Sequence, residues 1–249
     1  MSVTTSKKYY SKDQLQRLKK GPIPTHIAVI PDGNRRWAAR KGNTCTEGHK
    51  EGCDAVLDII RAGKEMGVSA FTFYSFSTEN WHRPQQEIEA LMNLLITYLQ
   101  DETPNMVENG IRLMTIGDTS KLRKDVQDQL ALSKQATKDC RDIDFIMALN
   151  YGGRDEICRA INRILDDPKG IRGKCMDEDL FSSYLDTAEW EDPQLLVRTS
   201  GEKRLSNFLL WQLSYAEIYT THTLWPDFHP DHLFEAVQWY QQREQRKGK

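Results

Sequence analysis

The 249-residue sequence predicts an α/β fold built on a parallel sheet, and three observations predict it. Short runs of apolar and β-branched residues alternate with segments of helical period, at the spacing of strand–helix–strand units with right-handed crossovers and helices on both faces. Four of these runs break into loops rich in arginine, hydroxyl and amide side chains, and open parallel sheets bind ligands at that edge. Neither an internal repeat nor a linker interrupts the pattern, so one domain is expected over residues 1–249, with a polar arm at 1–24.

The arm is lysine-bearing and closes with Gly-Pro-Ile-Pro. Within it Ser11–Lys20 reads as a short helix carrying Leu15 and Leu18 on one side. A frayed terminal segment and a basic arm touching anionic lipid are the two readings of this stretch.

Ile27, Val29 and Ile30 form the first apolar run, of the kind that parallel sheets bury on both faces. Pro31 ends it. Asp32-Gly33-Asn34 then turns into Arg35, Arg36, Trp37 and a helix-favouring Ala-Ala-Arg-Lys. A carboxylate at a strand end followed by arginines at a helix start makes a cradle for anionic oxygens, because backbone N–H groups, the helix dipole and guanidinium forks all favour phosphate. A carboxylate beside phosphate calls for a bridging cation, a role that Mg²⁺ fills in many phosphate sites. A structural Asx turn with solvent-facing arginines is the alternative, and this stretch alone leaves both open.

Arg40–Lys50 reads as a loop, and a helix follows from about Glu47 to Met66, closed by Gly67. Its inner side carries Val56, Ile59, Ile60 and Gly63. Cys45 and His49 are four apart, as a metal pair would be, but no second pair accompanies them. His49 near the helix start can instead donate to an anion.

Phe71–Phe76 is the second strand. It breaks into Ser77-Thr78-Glu79-Asn80-Trp81-His82-Arg83, and Pro84 suits the first helical position that follows. Ile88, Leu91, Met92, Leu95 and Leu99 then make a single apolar stripe, which either packs the core or walls an apolar cavity. Ile111–Ile116 is a strand, Asp118-Thr119 caps a helix to about Lys138, and Ile143–Leu149 is a strand ending in Asn150-Tyr151-Gly152-Gly153-Arg154. A helix to Leu165, a loop at Asp166–Lys174 and a short helix at Asp177–Leu185 come next. Gln194–Val197 is a further strand, and it runs into Arg198-Thr199-Ser200-Gly201-Glu202-Lys203-Arg204-Leu205-Ser206-Asn207. Four such loops at one sheet edge form one anionic-ligand site. With neither a Walker A lysine motif nor GxGxxG present, a nucleotide P-loop or dinucleotide fold is not expected.

Phe208–Trp211, Tyr215–Tyr219 and Leu224–Phe228 hold more aromatic surface than one sheet face needs, which suggests a subunit interface. Glu217 lies among them, where an unpaired carboxylate is costly, so it is either hydrogen-bonded or part of a site. His222, His229 and His232 raise the question of zinc, but His229-Pro230-Asp231-His232 reads better as the start of a last helix, with Pro230 in its first position, reaching about Arg246 before a basic tail.

Composition narrows the function classes. Lys and Arg number 34 against 36 Asp and Glu, a net charge of −2, so no bulk field attracts nucleic acid. Five cysteines, odd in number and without a CxxC pair, argue against a disulfide framework and for a reducing compartment. No secretory apolar region opens the chain and no apolar run nears ~18 residues, so a soluble cytoplasmic protein is expected.

Taken together, HIAVIPDGNRRWA, the Gly-His at 48–49, FYSFSTENWHRP, NYGGR, RTSGEKRLSNFLLWQ and YAEIY resemble the cis-prenyltransferases, typified by undecaprenyl diphosphate synthase, over roughly residues 26–246. The resemblance implies a six-stranded parallel sheet flanked by helices, an apolar tunnel, and a homodimer. It implies condensation of isopentenyl diphosphate with an allylic prenyl diphosphate, with new cis double bonds and Mg²⁺ as cofactor. The product would be a polyprenyl diphosphate, the precursor of a cell-wall glycan lipid carrier. A lipid-like product is compatible with peripheral membrane contact without an anchor in the sequence.

By motif position the resemblance makes Asp32 an essential Mg²⁺ ligand close to the reacting diphosphates. Glu217 matches a second metal-site carboxylate that acts across the dimer. Gly33, Asn34, Arg35 and Arg36 match the loop around the allylic diphosphate, with Trp37 beside it and His49 assisting. Ser77, Thr78 and Glu79 match a mobile loop, and Asn80 matches the position assigned to proton removal, with Trp81 and Arg83 adjoining. Arg198, Arg204 and Ser206 match residues that hold isopentenyl diphosphate.

Cys45 departs from the bacterial pattern, which generally places an arginine four residues before that histidine, on the allylic diphosphate. One charge-assisted contact of roughly 1.5–3 kcal/mol is therefore missing unless Arg35, Arg40 or Lys41 replaces it, and this bears on the choice of allylic substrate. Pro31 and Ser200 also differ from the commonest bacterial choices and look like other branches. A phosphoryl-transfer enzyme or phosphatase would share the arginine and Mg²⁺ chemistry, but the Walker-type motifs are absent. A non-catalytic partner subunit of the same fold would lack Asp32 and the loop arginines, which are present.

Overall fold

β1 (His26–Ile30), β2 (Ala70–Ser77), β3 (Ile111–Ile116), β4 (Ile143–Tyr151), β5 (Leu195–Arg198) and β6 (Glu217–Thr220) pair in the order β3-β4-β2-β1-β5-β6 in the computed structural model, which describes residues 8–167 and 175–244. Every pairing is parallel. Along the central strands successive side chains enter two different cores. Ile27, Val29, Phe71, Phe73, Phe145 and Met147 face one, and Ala28, Ile30, Ile146, Ala148 and Leu196 face the other. Burial on both faces is why these strands read as unbroken apolar runs.

The helices are α1 (Lys12–Leu18), α2 (Asn34–Lys41), α3 (Cys45–Met66), α4 (Gln85–Glu108), α5 (Lys124–Thr137), α6 (Gly153–Asp166), α7 (Glu178–Ser182) and α8 (Pro230–Gln241). α3, α4, α5 and α8 bury Ile60, Leu99, Val126 and Leu233 in the first core. On the other face a segment of turns brings in Phe208, Leu209 and Leu213. Among the described residues no helix is long and apolar enough to cross a membrane.

Several boundaries differ from the sequence expectation, each for a local reason. Arg40–Lys50 is not a loop. α2 runs to Lys41 and stops on Gly42 at φ 71°, and α3 starts at Cys45 because Thr44 and Glu47 form a reciprocal capping box. Pro84 is the cap of α4 rather than its first helical residue. Asp118 caps only a short 3₁₀ turn, Thr119–Lys121, and α5 begins at Lys124. β4 extends through Asn150 and Tyr151, which pairs with Ser77. The arm is not frayed over its described part. Leu18 and Tyr10 are buried, and the Tyr10 hydroxyl donates to the Pro230 carbonyl at 2.7 Å. α8 ends at Gln241, capped by Gln242 and short of the expected Arg246, and Pro230 does occupy its first turn; the basic tail past Glu244 and most of the Asp166–Lys174 loop lie outside the described residues.

β1 is central, with β2 then β4 on one side and β5 on the other. The carboxyl ends of these four strands therefore surround one crevice, the position at which open α/β sheets bind ligands.

Candidate active site

Asp32 leaves β1 through Pro31, and Gly33 at φ 117° turns the chain into α2, a conformation that only glycine adopts without strain. Its carboxylate meets two arginines. Arg198, at the end of β5, donates from Nη2 to Asp32 Oδ2 at 3.0 Å, and Arg36 Nη2 stands 3.7 Å from Oδ1. The Arg198 side chain is only 4% exposed, whereas that of Asp32 is 31% exposed, so the arginine is locked while the carboxylate opens outward. Arg198 also donates to Ser206 Oγ at 2.9 Å and to the carbonyl of Arg204, and its Nε is buried with no hydrogen-bond partner. Arg36 reaches the Ser200 carbonyl at 3.1 Å and its hydroxyl at 2.5 Å. Arg204 is half-turned to solvent and pairs with Glu202.

The loop after β2 is a 3₁₀ turn, Thr78–His82, closed by Asn80 Oδ1 accepting from Ser77 N–H at 3.1 Å. The Thr78 hydroxyl donates to Glu79 at 3.2 Å, and Glu79 accepts from Asn207 Nδ2 at 2.8 Å. Burial works against the Glu79 charge, but hydrogen bonds from Asn207, Ser77 and Thr78 outweigh it and hold the carboxyl below its ordinary range. Trp81 is pinned by Nε1 to Asn150 Oδ1 at 2.7 Å, and Arg83 pairs with Glu87 at 3.1 Å. His49 rests its Nδ1 3.3 Å from Asn34 Nδ2, while its Nε2 and Asn34 Oδ1 are buried without partners. Burial, reinforced by Arg83, pushes the His49 imidazole down to about 4.

Beside these groups opens a cavity of about 660 Å³. Asp32, Asn34, His49, Ser77, Glu79, Asn80, Arg83 and Ser206 line its polar mouth, and Val56, Phe73, Leu91, Met92, Leu95, Tyr98, Phe145 and Met147 line its apolar depth. The apolar stripe of α4 thus does both jobs. Ile88 and Leu99 are core, and Leu91 and Leu95 wall the cavity with Met92. A polar mouth, with Arg83 in its lining and Arg36 and Arg198 beside Asp32, on an apolar cleft accommodates an amphiphile with an anionic head.

The structure does not bring every expected residue to this rim. Trp37 donates to Asp227 Oδ1 at 2.7 Å and packs with Ala38 and Leu224, away from the cavity lining. Arg35 is exposed. Glu217 opens β6 level with Leu195, three positions before Arg198 and its partner Thr220, so within one chain it lies toward the opposite edge of the sheet from Asp32. It pairs with Arg243 Nε at 3.1 Å. Arg35 and Arg83 both act electrostatically on the Cys45 thiol, so cationic charge persists where an arginine is replaced.

Apart from Ser206, the other contributors were given no role from the sequence. Asn150, Ser200, Ser206, Asn207 and Leu209 all adopt positive φ, from 44° to 72°, at this one edge. Asn207 is the hub. It accepts from Arg154 N–H at 3.0 Å, bonds Glu79, and its carbonyl takes Gly153 N–H at 2.6 Å. Buried Glu156 accepts from Tyr151 at 2.5 Å and from Gln212 at 3.0 Å, anchoring the segment beneath the loop. The asparagines were the available signal, since Asn tolerates left-handed backbone better than most residues.

A family model described as "Putative undecaprenyl diphosphate synthase" matches residues 30–248. Curated relatives include an isoprenyl transferase of Chlamydia pneumoniae, 44% identical over 100% of both chains. Another, from Clostridium tetani, is 45% identical over 95% of this chain and 93% of its own. Among solved structures, the lavandulyl diphosphate synthase of Lavandula x intermedia, in complex with dimethylallyl diphosphate, is similar with a TM-score of 0.86 at 33% identity, over 91% of this chain and 99% of that one. A probable undecaprenyl diphosphate synthase of Campylobacter jejuni gives a TM-score of 0.78 at 33% identity, over 92% and 100%.

Proposed function

The chain belongs to the undecaprenyl diphosphate synthase family, and from that premise we propose that it condenses isopentenyl diphosphate with an allylic prenyl diphosphate, forming cis double bonds. The product is a polyprenyl diphosphate, the precursor of a glycan lipid carrier. The observation that carries this reading is the Asp32–Arg198 pair at the mouth of an apolar cavity of about 660 Å³. Diphosphate heads suit the mouth and isoprenoid tails suit the depth.

Each residue then has a task that its geometry permits. Gly33 to Arg36 present the start of α2 and a guanidinium to the allylic diphosphate, where N–H groups and positive charge stabilise the leaving anion. Arg198, Arg204 and Ser206 hold isopentenyl diphosphate, and Arg83 and neutral His49 add donors. The isopentenyl double bond attacks allylic C1 as the C–O bond to diphosphate breaks, and a proton leaves the new branch. Asn80 is an amide and a poor base. With its Oδ1 committed to Ser77, its NH₂ group orients the substrate while a diphosphate oxygen accepts the proton.

Asp32 fits Mg²⁺. Its carboxylate is partly exposed, lines the cavity and stands beside Arg198 and Arg36, and this ion usually binds one or two carboxylates plus substrate phosphates. Bound there, it would neutralise the diphosphates and favour departure of the leaving group. Glu217 would join only from a second subunit, and a homodimer is part of the reading. β6 is an edge strand with Ile218 exposed, and Tyr215 beside it is 78% exposed. Peripheral contact with membrane follows from the lipid-like product.

The test uses purified protein, Mg²⁺, labelled isopentenyl diphosphate, and geranyl, farnesyl or geranylgeranyl diphosphate in parallel, with products extracted into butanol and sized. Label in long products that vanishes with EDTA and in Asp32→Ala is the expected result. No incorporation with any primer would overturn the self-sufficient enzyme.

A further inference from the structure

We propose that Cys45, His49 and Glu87 form a second cation site, for a borderline-soft divalent metal of the Zn²⁺ type, which does not use the Asp32 carboxylate but shares His49 with the diphosphate mouth, so that a bound ion and a His49–diphosphate hydrogen bond exclude each other. Three observations assemble it. Cys45 and His49 occupy the first turns of α3 at i and i+4, hence on one helix face, and the Thr44–Glu47 capping box fixes that turn. Glu87 lies in the first turn of α4. One ligand atom from each of the three lies within 4.8 Å of the others, so modest closure gives the spacing of a thiolate, an imidazole and a carboxylate around a tetrahedral ion, with a fourth position open.

The chemistry of the set selects the metal. A thiolate and an imidazole favour Zn²⁺ over Mg²⁺, which prefers oxygen and keeps its waters. His49 is neutral at physiological pH, so a nitrogen lone pair is available, and Nε2 has no partner among the described residues. Rotating the Asn34 amide would present its orphaned Oδ1 to Nδ1–H, the outer-shell bond that metal-binding histidines usually have. The metal would take Glu87 from Arg83. A thiol binds metal as the thiolate, so binding releases a proton and tightens as pH rises.

Co²⁺ titration of the chelator-stripped, full-length protein tests this without using turnover, so its failure is distinguishable from failure of prenyl transfer. One equivalent of Co²⁺ should produce a thiolate-to-cobalt charge-transfer band and the intense visible bands of a tetrahedral ion. Stoichiometric Zn²⁺ should remove both, and a large excess of Mg²⁺ should not. Cys45→Ser should abolish the charge-transfer band, and Glu87→Gln should keep it while weakening binding at least ~10-fold. Cys53, Cys140, Cys158 and Cys175 are the internal control. A band that persists in Cys45→Ser, or no band in the wild type, overturns the proposal. Should Cys45→Ser fail to fold, protection of Cys45 from alkylation by Zn²⁺ in the wild type decides, and absence of protection counts against the site.

Discussion

At the amino edge of the sheet Arg112 forks onto Asp144 at 2.7 and 2.6 Å, and Trp190 Nε1 donates to the same carboxylate at 2.7 Å. At the carboxyl edge Arg198 divides one guanidinium among Asp32, Ser206 and the Arg204 carbonyl and leaves Nε unpaired. The same contrast separates two histidines. His26, at the start of β1, has both nitrogens bonded at 2.7 Å, to the Glu191 carbonyl and the Thr72 hydroxyl. His49 keeps one nitrogen orphaned. Backbone follows suit: near the amino edge the positive φ angles of the described residues fall on Gly67 and Gly110, while at the carboxyl edge Asn150, Ser200, Ser206, Asn207 and Leu209 take them as well as Gly33, Gly117 and Gly201. One end of the strands is saturated for stability, and the other keeps donors and strain in reserve for a ligand.

Substitutions at the two ends should therefore separate turnover from stability. Arg198→Ala carries the largest expected effect, a loss of about 10³ in kcat/KM, on the scale of removing a charged transition-state donor, about 4 kcal/mol. Radiolabel incorporation measures it, and a loss below tenfold would break the comparison. Arg112→Ala should do the reverse. We expect about 2 kcal/mol of lost stability in urea melts, because Asp144 keeps only the Trp190 donor, with turnover of the folded fraction unchanged.

The histidines sharpen the contrast through pH. Burial holds both near 4, so each stays neutral in the fold while the unfolded chain protonates near 6.5. Unfolded chain then binds more protons between these values. Stability should be full above about 6.5, fall as pH drops toward 4, and level off below. Added diphosphate ligand should raise the His49 value by about one unit and leave His26 in place, read by NMR of the imidazole protons. Equal shifts in both would show that the orphaned nitrogen is no ligand group. The smallest effect is at Gly67, φ 103°, where a Cβ meets nothing. Gly67→Ala should cost about 1 kcal/mol from backbone conformation alone and leave turnover intact, and a fall in turnover would argue that the two edges are coupled.

How legible this was depended on burial. The inner strands β1, β2, β4 and β5 could be read because both faces are largely packed, so apolar character outruns any other signal, and the edge strand β3 could be read from its buried Ile111, Leu113 and Ile116. β6 could not. It is four residues long, begins with Glu217 and exposes Ile218, and it entered only through the family resemblance. Asp32, Arg36, Asn80 and Arg198 were legible because charges and amides at strand ends have few structural uses. Asn207 and Glu156 were not, since their roles rest on partners 50 to 130 positions away in sequence, Glu79, Arg154 and Gln212. Trp37 was placed beside the ligand by position in the motif, and its indole donates to Asp227, a partner 190 positions away that the sequence does not show.

The most direct test of the central claim is a crystal structure with Mg²⁺ and a non-reactive prenyl thiodiphosphate. The diphosphate should lie among Gly33, Arg36 and His49, and the isoprenoid chain between β2, β4 and α4, against Leu91, Leu95 and Phe145. A diphosphate bound away from the Asp32–Arg198 pair, or a chain lying outside that cavity, would contradict that claim.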